Sequence, residues 1–160
     1  MASLLCALAV LTIVSGCGGG GSGSNIDYSG TYSGTASFTS GARGKIAMRV
    51  LSNGSAVAVL AISSSSSTIT IPGTVNTSNG NINLTNSTTD GSERITITGK
   101  ARRDDASGDI DVRAGSQRVS GTFKMSKISG GSSSLTAPNS EAPTSSEEFS
   151  DALKKGFKLD

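Results

Sequence analysis

Between Ile26 and Ile128 the chain alternates apolar and polar residues at a period of two, and it does so repeatedly. Pairs of large apolar residues two positions apart recur at Ile46/Met48, Val57/Val59, Ile69/Ile71, Ile82/Leu84, Ile95/Ile97, Ile110/Val112 and Phe123/Met125. Successive side chains on a strand point to opposite faces, so this pattern calls for strands with one buried and one solvated face. The abundant Thr between the apolar positions suits a pleated surface. An opening strand from Tyr28 to Phe38, with Tyr28, Tyr32, Ala36 and Phe38 on its even positions, brings the expected number to eight. Residues 26–128 are therefore expected to form an all-β domain.

The punctuation between strands selects the architecture. Asn53-Gly54, Asn79-Gly80 and Asp90-Gly91 separate successive apolar pairs. Such dipeptides favour the positive φ angles of the primed turns that join antiparallel neighbours, so the strands are expected to form an antiparallel up-and-down meander. A parallel solenoid would show similar spacing but a more constant period, and it needs no hairpin dipeptides. Eight meandering strands remove their own edges by closing into a barrel. The first and last strands carry similar motifs, Ser29-Gly30-Thr31-Tyr32 and Ser120-Gly121-Thr122-Phe123, which suits their pairing. With its Gly-x-Tyr-x-Gly opening strand, Gly30 to Gly34, and its Gly-Thr-Phe closing strand, the segment resembles small calycin barrels of the lipocalin and streptavidin kind. The resemblance implies a barrel able to bind something small. The chain has no Trp, so it lacks the tryptophans of those families' signatures, and their ligand residues do not carry over.

The N-terminus reads differently. Leu4 to Val14 is an apolar run too short to cross about 30 Å of hydrocarbon as a permanent helix, but it has the length of a signal-peptide core. Val14-Ser15-Gly16-Cys17 follows, and this stretch resembles the lipobox of bacterial lipoproteins. The resemblance implies removal of residues 1–16, acylation of Cys17 as the mature N-terminus, and membrane attachment through the lipid. Gly18, standing where an Asp would signal inner-membrane retention, implies the outer membrane of a Gram-negative host. The leader Met1-Ala2-Ser3 lacks the usual Lys or Arg. Cys6 falls within the removed segment, so the mature chain would hold a single cysteine with no disulfide partner. Residues 17–25 then form the lipidated cysteine and a Gly/Ser tether, and 129–144 a Ser-rich linker too poor in apolar residues to offset its ordering entropy. In 145–160, Ser145 and Glu148 form a capping-box pattern ahead of Phe149, Ala152, Leu153 and Phe157 at helical spacing. A short amphipathic helix is expected, packing on its own domain or docking on a partner.

Composition narrows the function. The chain has no His, which removes Ser-His and Cys-His catalysis and histidine metal sites. Neither a phosphate-cradling loop nor a nucleophile elbow occurs in 26–128. Asp104, Asp105, Asp109 and Asp111 do not match the spacing of a calcium loop, and neither metal nor other cofactor is expected. A net charge of +2 is far from the dense basic stripe of a nucleic-acid binder.

Two candidate sites remain. Tyr28, Tyr32, Phe38 and Phe123 are expected to face inward, as core or as the wall of a pocket for a small apolar ligand, and Ala47, Ala56, Ala58 and Ala61 leave room for a cavity. Arg94, Lys100, Arg102, Arg103, Arg113, Arg118, Lys124 and Lys127 fall in the last three strands, where a basic outer face could meet anionic headgroups or glycans. The expectation is a membrane-anchored, non-catalytic binding module for a small apolar ligand or envelope component. The alternative is a structural or assembly protein that contacts an envelope partner through its basic face or its C-terminal tail.

Overall fold

A computed structural model describes residues 26–64, 68–128 and 145–159. The signal segment, Cys17, the tether and the 129–144 linker lie outside them. Eight strands follow in chain order: β1 (Gly30–Phe38), β2 (Arg43–Val50), β3 (Ser55–Ile62), β4 (Thr68–Val75), β5 (Asn81–Ser87), β6 (Glu93–Ala101), β7 (Asp105–Ala114) and β8 (Gln117–Ile128). Each pairs antiparallel with the next, and β1 pairs with β8 from Thr31↔Ile128 to Phe38↔Gly121, so the meander closes into a barrel. Closure gives every strand a partner on both sides, although β4 and β5 pair only over Gly73–Val75 and Ile82–Leu84.

The hairpins use a different chemistry from that expected. Gly54, Gly80 and Gly91 have positive φ, but the Asn or Asp before each does not. A type I′ turn requires both, so these are not type I′ turns. The preceding side chain instead accepts the backbone N–H two residues on: Asn53 from Ser55 at 2.9 Å, Asn79 from Asn81 at 3.0 Å, and Asp90 from Ser92 at 3.1 Å. That bond satisfies the turn without a left-handed Asn or Asp, and glycine alone takes the left-handed position.

Inside the barrel, small and large side chains interleave. Tyr32, Ile46, Met48, Leu60, Ile71, Leu84, Ile95, Ile97 and Phe123 are all at most 1% exposed. On β3 the inward set is Ala56, Ala58, Leu60 and Ile62, one residue out of step with the Val57/Val59 pair that sequence suggested. This strand, Ser-Ala-Val-Ala-Val-Leu-Ala-Ile, is apolar on both faces, so alternation does not fix its phase. Its inward alanines stand among larger neighbours. Ala58 lies opposite Met48 and Ile71 on the flanking strands, whose larger side chains belong to the same core, while Ala47 belongs to no inward set.

Each end of the barrel is closed by its own chain. The opening strand begins at Gly30, two residues later than expected, because Gly30 takes φ +131° and turns the chain. Tyr28 precedes that bend and lies over the barrel end against Gly80, where a Cβ would stand 2.8 Å from the tyrosine ring. At the opposite end sits α1 (Ser146–Phe157). Its capping box is formed as expected: Ser145 Oγ accepts from the Glu148 N–H and Glu148 Oε2 accepts from the Ser145 N–H. Phe149, Ala152, Leu153 and Phe157 bury their side chains in the barrel's core. The Phe157 ring meets Phe38 edge-on at 4.7 Å, and the Gly156 carbonyl accepts from Ser64 Oγ at 3.0 Å. The helix's apolar face is thus occupied within the molecule and is not presented to a partner.

Candidate functional site

The four aromatic residues picked out from sequence are all in the core: Tyr28 is 7% exposed, Tyr32 0%, Phe38 6% and Phe123 1%. The fold distributes them rather than gathering them around a space. Tyr28 and Tyr32 stand at the end where the chain enters, and Phe38 stands beneath α1 at the other. The Tyr32 hydroxyl donates to the Tyr28 carbonyl at 2.9 Å, with the Arg102 carbonyl 3.4 Å away. Lys127 Nζ sits 5.8 Å from the Tyr32 ring centroid and donates to the Asp27 carbonyl at 3.1 Å. Burial of this phenol pushes its pKa up to about 12, because the anion would lose its hydration there. The group is a buried strut between the first strand and the β6–β7 loop, and it stays neutral at physiological pH.

Under α1 lies a feature that periodicity did not reveal. Glu93, the first residue of β6, is 6% exposed and is the one charged side chain buried among the described residues. Its Oε1 meets Lys154 Nζ of α1 at 3.3 Å, while its Oε2 is buried without a partner. Lys154 is half exposed, so the pair latches the helix to the barrel through a cation that remains largely hydrated. Beside it, Thr88, Thr89, Asp90, Ser92, Ser146 and Asp151 line an open cleft between α1 and the β5–β6 hairpin. Asp90 accepts from Thr88 Oγ1 at 2.6 Å and from Ser92 Oγ at 2.9 Å, bonds that hold its carboxyl down at about 2. These bonds organise the hairpin. Nothing in the local sequence marks Glu93 for burial; the helix packed above it makes it buried.

Asp104 and Asp105 are exposed at the β6–β7 hairpin, and Asp109 and Asp111 project outward from β7. No group of three or more potential metal ligands occurs among the described residues.

Of the basic residues of the last three strands, Arg94, Lys100, Arg113, Arg118 and Lys124 share the outer face, in two separate rows, and the other three lie at the entry end. Arg102 and Arg103 lie in the β6–β7 loop at the entry end, with Arg102 paired to Asp105 at 3.6 Å, and Lys127 caps that end over Tyr32. Lys100 and Lys124 project outward on either side of Ser107. At the α1 end, Arg94, Arg113 and Arg118 fall directly opposite one another across β6, β7 and β8. Arg113 Nε lies 3.2 Å from Asp111 Oδ1 and Arg118 Nε 2.5 Å from Asp111 Oδ2. No family model, no curated protein and no solved structure matches this chain.

Proposed function

We propose that the chain is an exported lipoprotein, held to a membrane by acyl chains on Cys17, whose barrel is a rigid, non-catalytic scaffold that meets an envelope partner on its outer surface. One observation carries the choice between this reading and a small-ligand carrier: one continuous cluster of buried side chains runs through the barrel from Tyr32 through Phe123 to Leu153, with its own chain over both ends. An eight-stranded barrel is either just filled by side chains or holds one small ligand, and this packing supports the first. The outer strand surface, with its rows of Arg, Lys, Thr and Ser, is what remains for recognition. The anchor rests on the Val14-Ser15-Gly16-Cys17 motif, and outer-membrane residence in a Gram-negative host rests on Gly18.

The test is made in bacterial cells on the full chain. A photo-crosslinking side chain replaces Thr96 or Ser120 on the outer face of β6 or β8, and Cys17→Ser is assayed in parallel for palmitate incorporation and membrane fractionation. The proposal expects a discrete adduct from the outer face and loss of both label and membrane association in Cys17→Ser. Adducts at neither position would overturn the scaffold reading. An unlabelled wild type would overturn the anchor.

A further inference from the structure

Arg94, Arg113 and Arg118 stand as mutual cross-strand partners on three adjacent strands. Like charges placed directly opposite on a sheet are destabilising, and their side chains stand about 5 Å apart at Cβ. Three guanidiniums in one row are thus a cost to the fold. All three are exposed, so none of them packs a core. Edge protection does not account for them either, since β6, β7 and β8 each have a partner strand on both sides. One carboxylate, Asp111 in the adjacent row, meets two of the three through their Nε atoms. Arg94 forms no ion pair among the described residues. The row keeps a local charge of about +2, flanked by the hydroxyls of Ser87, Thr96 and Ser120 on the same and neighbouring rungs.

We propose that this row binds a phosphate-monoester dianion, with Arg94 and Arg113 as its principal donors and Arg118 held alongside by Asp111. The assignment deepens the outer-surface reading above and rests on it. Charge and geometry both favour it. A phosphomonoester carries about −1.5 to −2 at neutral pH, which matches the uncompensated charge. The planar guanidinium fork suits oxoanions in paired hydrogen bonds, and hydroxyls complete such a shell. Position indicates the source. The row lies at the α1 end, and β6 runs from Arg94 to Ala101 toward the end where the chain enters, roughly 20 Å along the strand at about 3.3 Å per residue. A chain tethered through its N-terminus presents the row away from its own membrane, which favours a phosphorylated soluble molecule or polymer over the headgroups of the anchoring leaflet.

The experiment titrates inorganic phosphate into the full chain in uncharged detergent micelles, at constant ionic strength, following the arginine side-chain Nε–H resonances by NMR. The expected result is saturable shifts of Arg94, Arg113 and Arg118. Binding should weaken about tenfold or more in Arg94→Gln, the scale of removing one charge-assisted hydrogen bond, and remain intact in Lys100→Gln. It should also weaken as the pH falls through neutrality and inorganic phosphate takes up a proton to become a monoanion, although the arginines keep their charge. A second arm adds vesicles of phosphatidylglycerol or of phosphatidylcholine. Association with the anionic vesicles alone, without saturable phosphate shifts, would overturn the proposal in favour of nonspecific attraction to lipid. No shifts, or equal shifts in Arg94→Gln, would overturn it outright. None of these readouts depends on acylation or on a crosslinked partner, so a failure of the scaffold reading registers separately.

Discussion

Leu153→Ala probes whether α1 is part of the barrel or an appendage to it. Leu153 is fully buried on the helix face that enters the core, with Phe149 and Phe157 beside it. The substitution removes three carbons, worth roughly 2.4 kcal/mol at about 0.8 kcal/mol each. A cavity contribution adds to this. The hydrogen-bonded wall of a closed barrel cannot collapse inward, but the helix can settle slightly, so the sum is placed near 3 kcal/mol, within the ~2–5 kcal/mol range of such truncations. A domain of about 100 residues loses roughly 4–8 °C of melting temperature per kcal/mol, so a drop of about 12–24 °C is expected. Circular dichroism melts of the full chain give the readout, with Lys155→Ala as an exposed control expected to change stability by under about 0.5 kcal/mol. Among the described residues Lys155 pairs only with exposed Asp151, on the helix surface. A Leu153→Ala protein whose strand signal melts within about 2 °C of the parent, its helical signal lost separately, would refute the reasoning and make α1 independent of the barrel.

The raised Tyr32 pKa gives a pH prediction. The folded state holds the phenolic proton up to about pH 12, whereas an unfolded tyrosine releases it near 10, so between these values the native state binds more protons and stability falls as pH rises. The loss should approach about 2–3 kcal/mol by pH 12 and be absent in Tyr32→Phe, as read from denaturant melts between pH 8 and 12. Gly34 faces the closing strand so closely that a Cβ would overlap the Lys124 carbonyl. Gly34→Ala should accordingly disturb the β1–β8 seam at a cost of about 3 kcal/mol or more, with faster amide exchange along both strands. Lys154→Met should cost about 1–2 kcal/mol, reduced from the penalty of a fully buried pair because Lys154 is half in water. In a Glu93→Gln background that cost should largely vanish, a coupling that a double-mutant cycle in denaturant melts measures directly.

Most of the barrel was legible in the sequence because its information is local. Alternation marks the buried face, and a glycine after Asn or Asp marks the hairpin, so six of the seven apolar pairs, from Ile46/Met48 to Phe123/Met125, took their expected inward places. β3 escaped because Ala56 to Ile62 is apolar on both faces, so only the register of its neighbours sets its phase. Tyr28 escaped because a single glycine conformation, at Gly30, lifts it out of the strand. The row of arginines was half visible: Arg113 and Arg118 are equidistant from the two-residue hairpin Gly115-Ser116, which places them opposite one another. Arg94 needed the register of the next hairpin as well. Glu93 was not legible at all, since its burial depends on a helix more than fifty residues away, and no local pattern encodes where that helix docks.

Native mass spectrometry of the full chain, released intact from micelles and compared with the same sample after denaturation, tests most directly whether the barrel is a packed scaffold. The account predicts one mass in both states, apart from acyl groups that persist in both. A mass excess in the native state that disappears on denaturation, and that Arg94→Gln leaves in place, would mean that the barrel carries a ligand inside and would contradict it.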